Sequence, residues 1–241
     1  KFPVSEVRLV VVANDGRGAG GTTFGFRGGS LIRLSVGRHA HAAALKRDWV
    51  LVHEMTHLAL PQLPRWALWL QEGNATYVEP IARAEAGQMD VAEVWKWTID
   101  DMPGGQPKAG EGGLNDTRDH DRTYWGGAAF WLMADVRIRE RTHNRIGVQQ
   151  ALRAINRQSG GNTADWTPER MLKVGDEATG GTELADLYAQ MGVAGSPADI
   201  DGLLARLGVG LREGAVVFDD RAPLAAIRRA IPEVPAPEAS R

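Results

Sequence analysis

The sequence contains no cysteine. This absence excludes disulfide bonds, thiolate metal sites and a cysteine nucleophile. Any metal ion that the chain binds must therefore be held by His, Asp or Glu side chains. The length of 241 residues suits one large domain or two small ones, with ample chain for a buried core.

The sequence also lacks an excess of charge and a long apolar run. Lys and Arg total 28 against 30 Asp and Glu, a formal net charge of -2, so nothing draws the whole chain to a phosphate backbone. We therefore expect no nucleic-acid partner. Asp48, His53, Arg65 and Gln71 interrupt the most apolar region, which predicts that this chain has no membrane span.

The first forty residues predict strands and the next twenty a helix. Residues 7–13 form a β-branched run, and residues 30–36 alternate apolar and polar side chains, with glycines as turn residues around them. The period becomes helical over residues 42–60, and Pro61 and Pro64 end that helix.

The remainder of the chain reads as mostly helical. A second helix is predicted over residues 65–86, a long surface loop over 103–122, and an apolar helix over 126–141. The C-terminal third reads as a set of short helices, because three sites look like helix caps: Thr167-Pro168, Thr182 and Ser196-Pro197.

A His-Glu-x-x-His pentad occupies residues 53–57, inside the first predicted helix. Residues four apart lie on one helical face about one turn from each other, so His53 and His57 can bind one ion. Glu54 projects beside that face, where its carboxylate can take a proton from a water on the ion. The pattern predicts a metal site, but alone it is not decisive.

Glu72 is the natural third ligand. It lies on the next predicted helix, and a tight Pro-containing turn can bring that helix back to the His pair. Two His, one Glu and a water form a catalytic zinc set, so the expected cofactor is Zn2+. The alternative is that His53 and His57 pair with Glu54 or Asp48, and that Glu72 is a surface carboxylate.

At these residues the chain resembles the gluzincin clan of zinc metallopeptidases, closest to the catalytic domain of the glycyl aminopeptidase-like family. The segment 63–77, with Trp69, Glu72 and Gly73, is similar to that family's tryptophan-x-x-glutamate-glycine element. Residues 124–128, Tyr-Trp-Gly-Gly-Ala, with Asp135 and Arg139 on the helix that follows, resemble its tyrosine-x-x-glycine helix start. The resemblance covers roughly residues 1–210.

The resemblance implies an α+β zincin (thermolysin-like) catalytic domain that hydrolyses peptide bonds in a peptide or protein substrate. His53, His57 and Glu72 would hold the zinc, Glu54 would be the general base, and Tyr124 would donate to the oxyanion. The alternative for Tyr124 is an aromatic residue packing on the tryptophans nearby. His120 and His143 are weaker candidates for the same donor.

The implied architecture is a short N-terminal twisted sheet and a mostly helical C-terminal lobe, with the site between them. We assign residues 1–214 to the catalytic domain, with the sheet and metal helices in 1–100 and the helical lobe in 122–214. Residues 215–241 are assigned to a C-terminal extension with a Pro-rich tail. Family members usually carry a further β domain and a peptide-binding module, for which this chain has no room, so we expect further domains in a longer precursor.

Zincins commonly pair an extended substrate with an edge strand next to the metal helix. Residues 30–36 are the natural candidate, which makes Ser30, Leu31, Ile32 and Arg33 the predicted substrate-binding residues. Residues 16–47 contain no Asp or Glu but several Arg and Lys. This pattern favours acidic peptides or internal cleavage, and the alternative is a solvated basic face.

Two other readings compete with the peptidase. Residues 16–21 fit the dinucleotide-binding pattern G-x-G-x-x-G, but the residues after them do not read as a helix, so we do not favour it. The serious rival is a binding or scaffold protein that keeps the zincin fold without hydrolysis. The first residue, Lys1, and the absence of cysteine favour a periplasmic or secreted location over a cytoplasmic one.

Overall fold

The computed structural model describes residues 2–26 and 28–233. The architecture is mixed α+β, with 53% of residues in helices and only small sheets, so the predicted α+β class is confirmed. Arg27 and most of the predicted Pro-rich tail, residues 234–241, lie outside the described residues. No helix in the described ranges is long and apolar enough to cross a bilayer.

The N-terminal sheet has three strands, β1 (Val7–Asn14), β2 (Ala19–Phe26) and β3 (Gly29–Gly37). Their order is β1-β3-β2, with β1 parallel and β2 antiparallel to β3. The side chains of Ile32 and Leu34 point to the buried face of β3, as the alternating pattern predicts.

The prediction that residues 30–36 form an edge strand is wrong. These residues lie in β3, which is hydrogen-bonded to a neighbour on both sides, so it has no free backbone groups for a substrate. The edges of the sheet are β1 and β2.

The predicted helix over residues 42–60 is two helices, α1 (Ala42–Lys46) and α2 (Val50–His57). The break has a local cause, because Oδ1 of Asp48 accepts a hydrogen bond from the backbone N–H of Val50 at 2.9 Å. All five residues of the pentad lie in α2, and His57 is the last residue of that helix.

The second predicted helix begins as a 3-10 turn (Arg65–Ala67) and continues as α3 (Leu68–Glu85). Gln71, near its start, donates to the carbonyl of Pro61 after α2 at 3.1 Å, and Arg83, near its end, donates to the carbonyl of Arg47 before α2 at 2.9 Å. The two helices therefore run antiparallel. Helix α4 (Val91–Asp100) follows, capped by Asp90.

The predicted loop over residues 103–122 contains parts of two 3-10 turns, Met102–Gly105 and Leu114–Asp116. The next helix begins with a π-helical turn, Arg122–Gly126, and continues as α5 (Gly127–Arg141). A helix is thus present where the sequence predicts one, but its first turn is wound more widely than an α-helix.

The C-terminal part is a series of short elements: α6 (Val148–Ser159), α7 (Pro168–Thr179), α8 (Glu183–Leu187), α9 (Ile200–Leu207), the hairpin β4 (Val209–Arg212) and β5 (Ala215–Phe218), and α10 (Ala225–Ala230). Thr167 caps α7 as predicted. The predicted cap at Ser196 is wrong, because Asp199 caps α9. Residue 214 lies in the hairpin turn, and Leu224 and Ile231 beyond it are buried among the helices.

The described residues bury two separate apolar clusters. The sheet core consists of Ile32, Leu34, Val50 and Leu58, between the sheet and α2. The lobe core is much larger and joins α3 to α10.

A buried polar network ties three helices together within the lobe core. The carboxylate of Asp135 on α5 accepts hydrogen bonds from the Tyr77 hydroxyl on α3 (2.7 Å), from Nε of Arg139 (2.9 Å) and from the backbone of Val148 on α6 (2.8 Å). Burial and the charge of Asp135 raise the pKa of Tyr77 well above its usual value, so this phenol stays a donor.

Candidate metal centre

Two imidazoles and one carboxylate converge where α2 meets α3. Nε2 of His53 lies 3.2 Å and Nε2 of His57 lies 3.4 Å from Oε2 of Glu72. The pentad spacing puts both imidazoles on one face of α2, and the antiparallel course of α3 brings Glu72 opposite them. These three residues are the metal ligands that the sequence predicts, and their ligand atoms all lie within 4.8 Å of one another.

The donor set and its spacing fit a zinc ion. Ligand atoms about 2.0–2.1 Å from a tetrahedral zinc lie about 3.3 Å from each other. The two nitrogen-to-oxygen distances are 3.2 and 3.4 Å. Neutral nitrogen and anionic oxygen donors also suit zinc. The two histidine nitrogens therefore lie at distances from the Glu72 oxygen that suit ligands of one tetrahedral ion.

The protonation state of Glu72 agrees with a ligand role. Burial alone raises the pKa of this carboxyl, but hydrogen bonds from His53 and His57, together with their charges, outweigh burial and lower the pKa to about 2. Glu72 is thus a carboxylate at neutral pH, which is the form in which a glutamate binds a metal ion.

The position of Glu72 is set by a close helix crossing. The neighbouring residue Gly73 packs against Gly127 of α5, and a Cβ atom on Gly73 would lie 2.3 Å from Cα of Gly127. The helices can approach this closely only because neither residue has a side chain. The distance of the Glu72 side chain from the two histidines therefore depends on how closely the backbones of α3 and α5 pack in the lobe core.

Glu54, the predicted general base, is held by β2. The hydroxyl of Thr23 lies 2.7 Å from Oε2 of Glu54 and 2.8 Å from its backbone oxygen. A Cβ atom on Gly21 would lie 2.5 Å from Cγ of Glu54 and 2.8 Å from Oε1. Gly21 and Thr23 were not predicted as site residues, although their alternation with Gly25 could have indicated a strand with one face against α2.

Tyr124 lies beside the two histidines, on the π-helical turn. Its ring stacks on His53 with centroids 6.0 Å apart, and on the exposed His120 at 4.4 Å. It does not pack on Trp131, whose indole donates to the carbonyl of Leu70. Burial, then the charge of Glu72 and a hydrogen bond to it, raise the pKa of Tyr124, so the phenol keeps its proton. His143 lies in the exposed turn after α5, outside the cleft.

These groups open into a cleft of about 430 Å³. The start of β2 forms one wall, α2 and the first turns of α3 form the floor, and the loop after α6 closes one end. The residues that line the cleft are Ala19, Gly20, Gly21, Thr22, Thr23, Trp49, Val50, His53, Glu54, His57, Gln62, Leu68, Gln71, Glu72, Tyr124 and Asn162.

The predicted substrate-binding residues do not line this cleft. Ser30 is buried and donates to Oδ1 of Asn162 at 2.6 Å, and Ile32 belongs to the sheet core. Leu31 and Arg33 point to the opposite face of the sheet, because successive residues of a strand alternate. The strand next to the site is β2, an edge strand, and its residues 19–23 replace Ser30, Leu31, Ile32 and Arg33 as the candidate substrate wall.

The basic residues within positions 16–47 do not line the cleft in the described part of the chain. No Arg or Lys is among the residues that line the cleft, and Arg38 pairs with Asp15 at 3.1 Å. Residues 19–26 form β2 rather than a helix, so the context that a dinucleotide-binding pattern needs is absent.

Comparison of the chain with known protein families and with curated proteins found no match.

Proposed function

We propose that this chain is a zinc-dependent peptidase of the zincin fold, which hydrolyses the peptide bonds of peptide or protein substrates. The observation that carries the proposal is the convergence of His53, His57 and Glu72 with the Glu54 carboxylate, in one open cleft beside an edge strand. Bound zinc would supply a Lewis acid that polarises the scissile carbonyl and acidifies a water molecule.

The residues of the chain have separate tasks in this reaction. The free backbone groups of β2 pair with the main chain of an extended substrate and hold the scissile bond over the site. Glu54 takes a proton from the attacking water as the water oxygen bonds to the carbonyl carbon. The same carboxyl then gives that proton to the amide nitrogen as the C–N bond breaks.

Two hydroxyl groups assist these steps. Thr23 donates to Oε2 of Glu54, which leaves Oε1 for the proton transfer. The Tyr124 hydroxyl, kept protonated, donates to the carbonyl oxygen as negative charge develops there.

The test is cleavage of a peptide library, read by mass spectrometry, with zinc-loaded wild type and a Glu54→Gln variant. We expect cleavage by the wild type and its loss in Glu54→Gln with zinc content unchanged, because an amide cannot accept the proton. Glu93→Gln, at an exposed glutamate of α4, is the matched control and should cleave like wild type. Zinc bound in both proteins without any cleavage would contradict the proposal and favour a non-catalytic binding protein.

A further inference from the structure

The ring of Tyr124 lies between two imidazoles. On one side it stacks on His53, with ring centroids 6.0 Å apart and the two planes 19° from parallel. On the other side it stacks on His120, with centroids 4.4 Å apart and the planes 14° from parallel. Both faces of the Tyr124 ring are therefore covered, and the closer of the two contacts is the one to His120.

These three rings form a row that runs from the metal site to the solvent. The side chain of His53 is 6% exposed, Tyr124 is half-buried, and the side chain of His120 is 76% exposed. His53 also makes edge contacts with the rings of Trp49 and His57. The inner end of the row is thus held by several neighbours, whereas the outer face of the Tyr124 ring is held by His120.

The backbone that carries His120 is anchored just before and just after this residue. Oδ1 of Asp119 accepts a hydrogen bond from the backbone N–H of Arg122 at 3.0 Å, and the carbonyl of Asp119 accepts one from the backbone of Thr123 at 3.1 Å. The guanidinium of Arg122 is buried and donates to the carbonyl of Gly112 at 2.8 Å. These bonds fix the backbone of His120 although its side chain lies in solvent.

The π-helical turn that carries Tyr124 is also packed closely against the turn Met102–Gly105. A Cβ atom on Gly105 would lie 2.1 Å from the backbone nitrogen of Gly126, so the two backbones touch. His120 and Tyr124 are four residues apart along this anchored segment, which places their side chains on one face. The stack therefore forms between two side chains whose backbones are already in place.

The position of His120 favours an effect through Tyr124 rather than a direct effect on a substrate. Tyr124 is among the described residues that line the cleft and His120 is not, so a substrate in the cleft meets the phenol. Nδ1 of His120 lies 3.5 Å from Oδ1 of Asp121, but these side chains are 76% and 64% exposed. An ion pair this exposed contributes little. The stack is therefore the contact through which His120 can act on the site.

We propose that His120 is a positioning residue, which stacks on Tyr124 and holds its phenol beside His53, in the orientation that meets the carbonyl oxygen of a substrate. Without the stack the phenol reaches other orientations, and only a fraction of the molecules presents the hydroxyl to the reaction. The effect on catalysis rests on the proposed peptidase function. The effect on the position of the ring does not, and the two are measured separately.

The first measurement follows the ring without turnover. The chain contains three tyrosines, so protein labelled with ¹³C-tyrosine gives few ring signals in NMR spectra, and Tyr124→Phe identifies the signal of Tyr124. Protons stacked on an aromatic ring resonate upfield, so His120→Ala should move the Tyr124 signal downfield. His120→Phe keeps a flat ring and should leave the signal upfield. The signals of Tyr77 and Tyr188 should not move in either variant, which reports an intact fold.

The second measurement is peptide cleavage by the zinc-loaded protein. His120→Ala should lower kcat about 2- to 10-fold, the range expected for one aromatic pair, and should leave KM unchanged. His120→Phe should restore kcat. In a Tyr124→Phe background His120→Ala should have no further effect, because the hydroxyl that it positions is gone. Two controls should cleave like wild type: His39→Ala, at an exposed histidine after β3, and Asp121→Asn, which removes the charge beside His120.

Several results would overturn the inference. They are an unchanged Tyr124 signal or an unchanged kcat in His120→Ala, and a loss of kcat that His120→Phe does not restore. Equal losses with and without the Tyr124 hydroxyl would show that His120 acts independently of Tyr124, and a similar loss in Asp121→Asn would assign the effect to the ion pair. If wild type cleaves no peptide, the peptidase is refuted, and the Tyr124 signal still decides whether His120 holds the ring.

Discussion

The sheet core and the lobe core differ greatly in size, and the candidate site draws on both. The sheet core has four buried apolar residues, whereas the lobe core contains more than thirty and a buried ionic network. His53, His57 and Glu54 lie on α2, which packs on the sheet core, and Glu72 lies on α3, which is anchored in the lobe core. The lobe core therefore contributes most of the stability of the fold, and the sheet mainly positions the side chains of the candidate site.

The largest loss of stability is expected for Asp135→Ala in the lobe core. The change removes the acceptor for Tyr77 and leaves the guanidinium of Arg139 buried without its carboxylate. We expect a loss of about 3–5 kcal/mol in the free energy of unfolding, measured by urea denaturation. Asp100→Ala, which breaks the exposed pair with Lys96, is the control and should cost about 1 kcal/mol or less. Similar losses in both variants would contradict the structural role of the network.

A pair of leucines tests whether the two cores act differently on the site. Leu58 lies in the sheet core and Leu184 in the lobe core, and both are fully buried. Leu58→Ala and Leu184→Ala should each lower the free energy of unfolding by about 2–5 kcal/mol. Only Leu58→Ala should also weaken zinc binding, by about tenfold or more, because α2 has few other apolar contacts to hold it. Equal zinc affinities of the two variants, measured by competition with a chelator, would show that the two cores do not differ in their effect on the site.

Two adjacent threonines test the role of the sheet in the chemistry. Thr23→Val deletes the hydrogen bond to Oε2 of Glu54, whereas Thr22→Val changes an exposed hydroxyl that bonds only to the backbone of Gly21. A hydrogen bond to a charged group contributes about 1.5–3 kcal/mol, so kcat should fall about 10- to 100-fold in Thr23→Val. Thr22→Val, on the opposite face of β2, should change kcat much less than Thr23→Val, and Thr23→Ser should restore it. Unchanged kcat in Thr23→Val would mean that β2 does not position the base.

The stability of the fold should also depend on pH, through a buried glutamate where α3 meets the segment before α2. Glu79 on α3 is buried beside Arg83, whose guanidinium also holds the carbonyl of Arg47 before α2. Burial raises the pKa of Glu79 to about 7, although Arg83 opposes this shift and Asp48 adds to it. The folded chain therefore keeps a proton that the unfolded chain loses near its ordinary pKa of about 4.3, so stability decreases as the pH rises from about 5 to 7.

Glu79→Gln should flatten this decrease, by at most about 1.4 kcal/mol per pH unit. The measurement is the free energy of unfolding of both proteins at several values between pH 5 and 8. Parallel curves for wild type and variant would show that Glu79 does not titrate in this range.

Local pattern was enough to predict the helical part of the site. The pentad places His53 and His57 on one helical face whatever the rest of the chain does, and the prolines before α3 indicate a turn that returns Glu72 to them. Tyr124 was named only through the resemblance of residues 124–128 to a helix start, and the structure brings its ring beside His53. Each of these predictions depends on residues that are close together along the chain.

The sheet could not be predicted in the same way. Alternation over residues 30–36 identifies a strand with one buried face, but it does not show whether neighbouring strands pair with it on one side or on both. The glycines of β2 read as turn residues because their function, making room for Glu54 and Asn162, depends on contacts distant in sequence. The break between α1 and α2 was missed because one local hydrogen bond, from the backbone N–H of Val50 to Asp48, overrides a helical period.

The close approach of Gly73 and Gly127 also bears on how related sequences are compared. A chain that keeps both histidines and the glutamate, but has alanine at either glycine, would have to separate α3 from α5 by the width of a methyl group. The glutamate would then shift with its helix away from the two histidines, which would disrupt the candidate metal site. Motif searches would not register the change, since both histidines and the glutamate would still be present. Inheritance of this site is therefore better judged from two residues that carry no functional group than from the ligands alone.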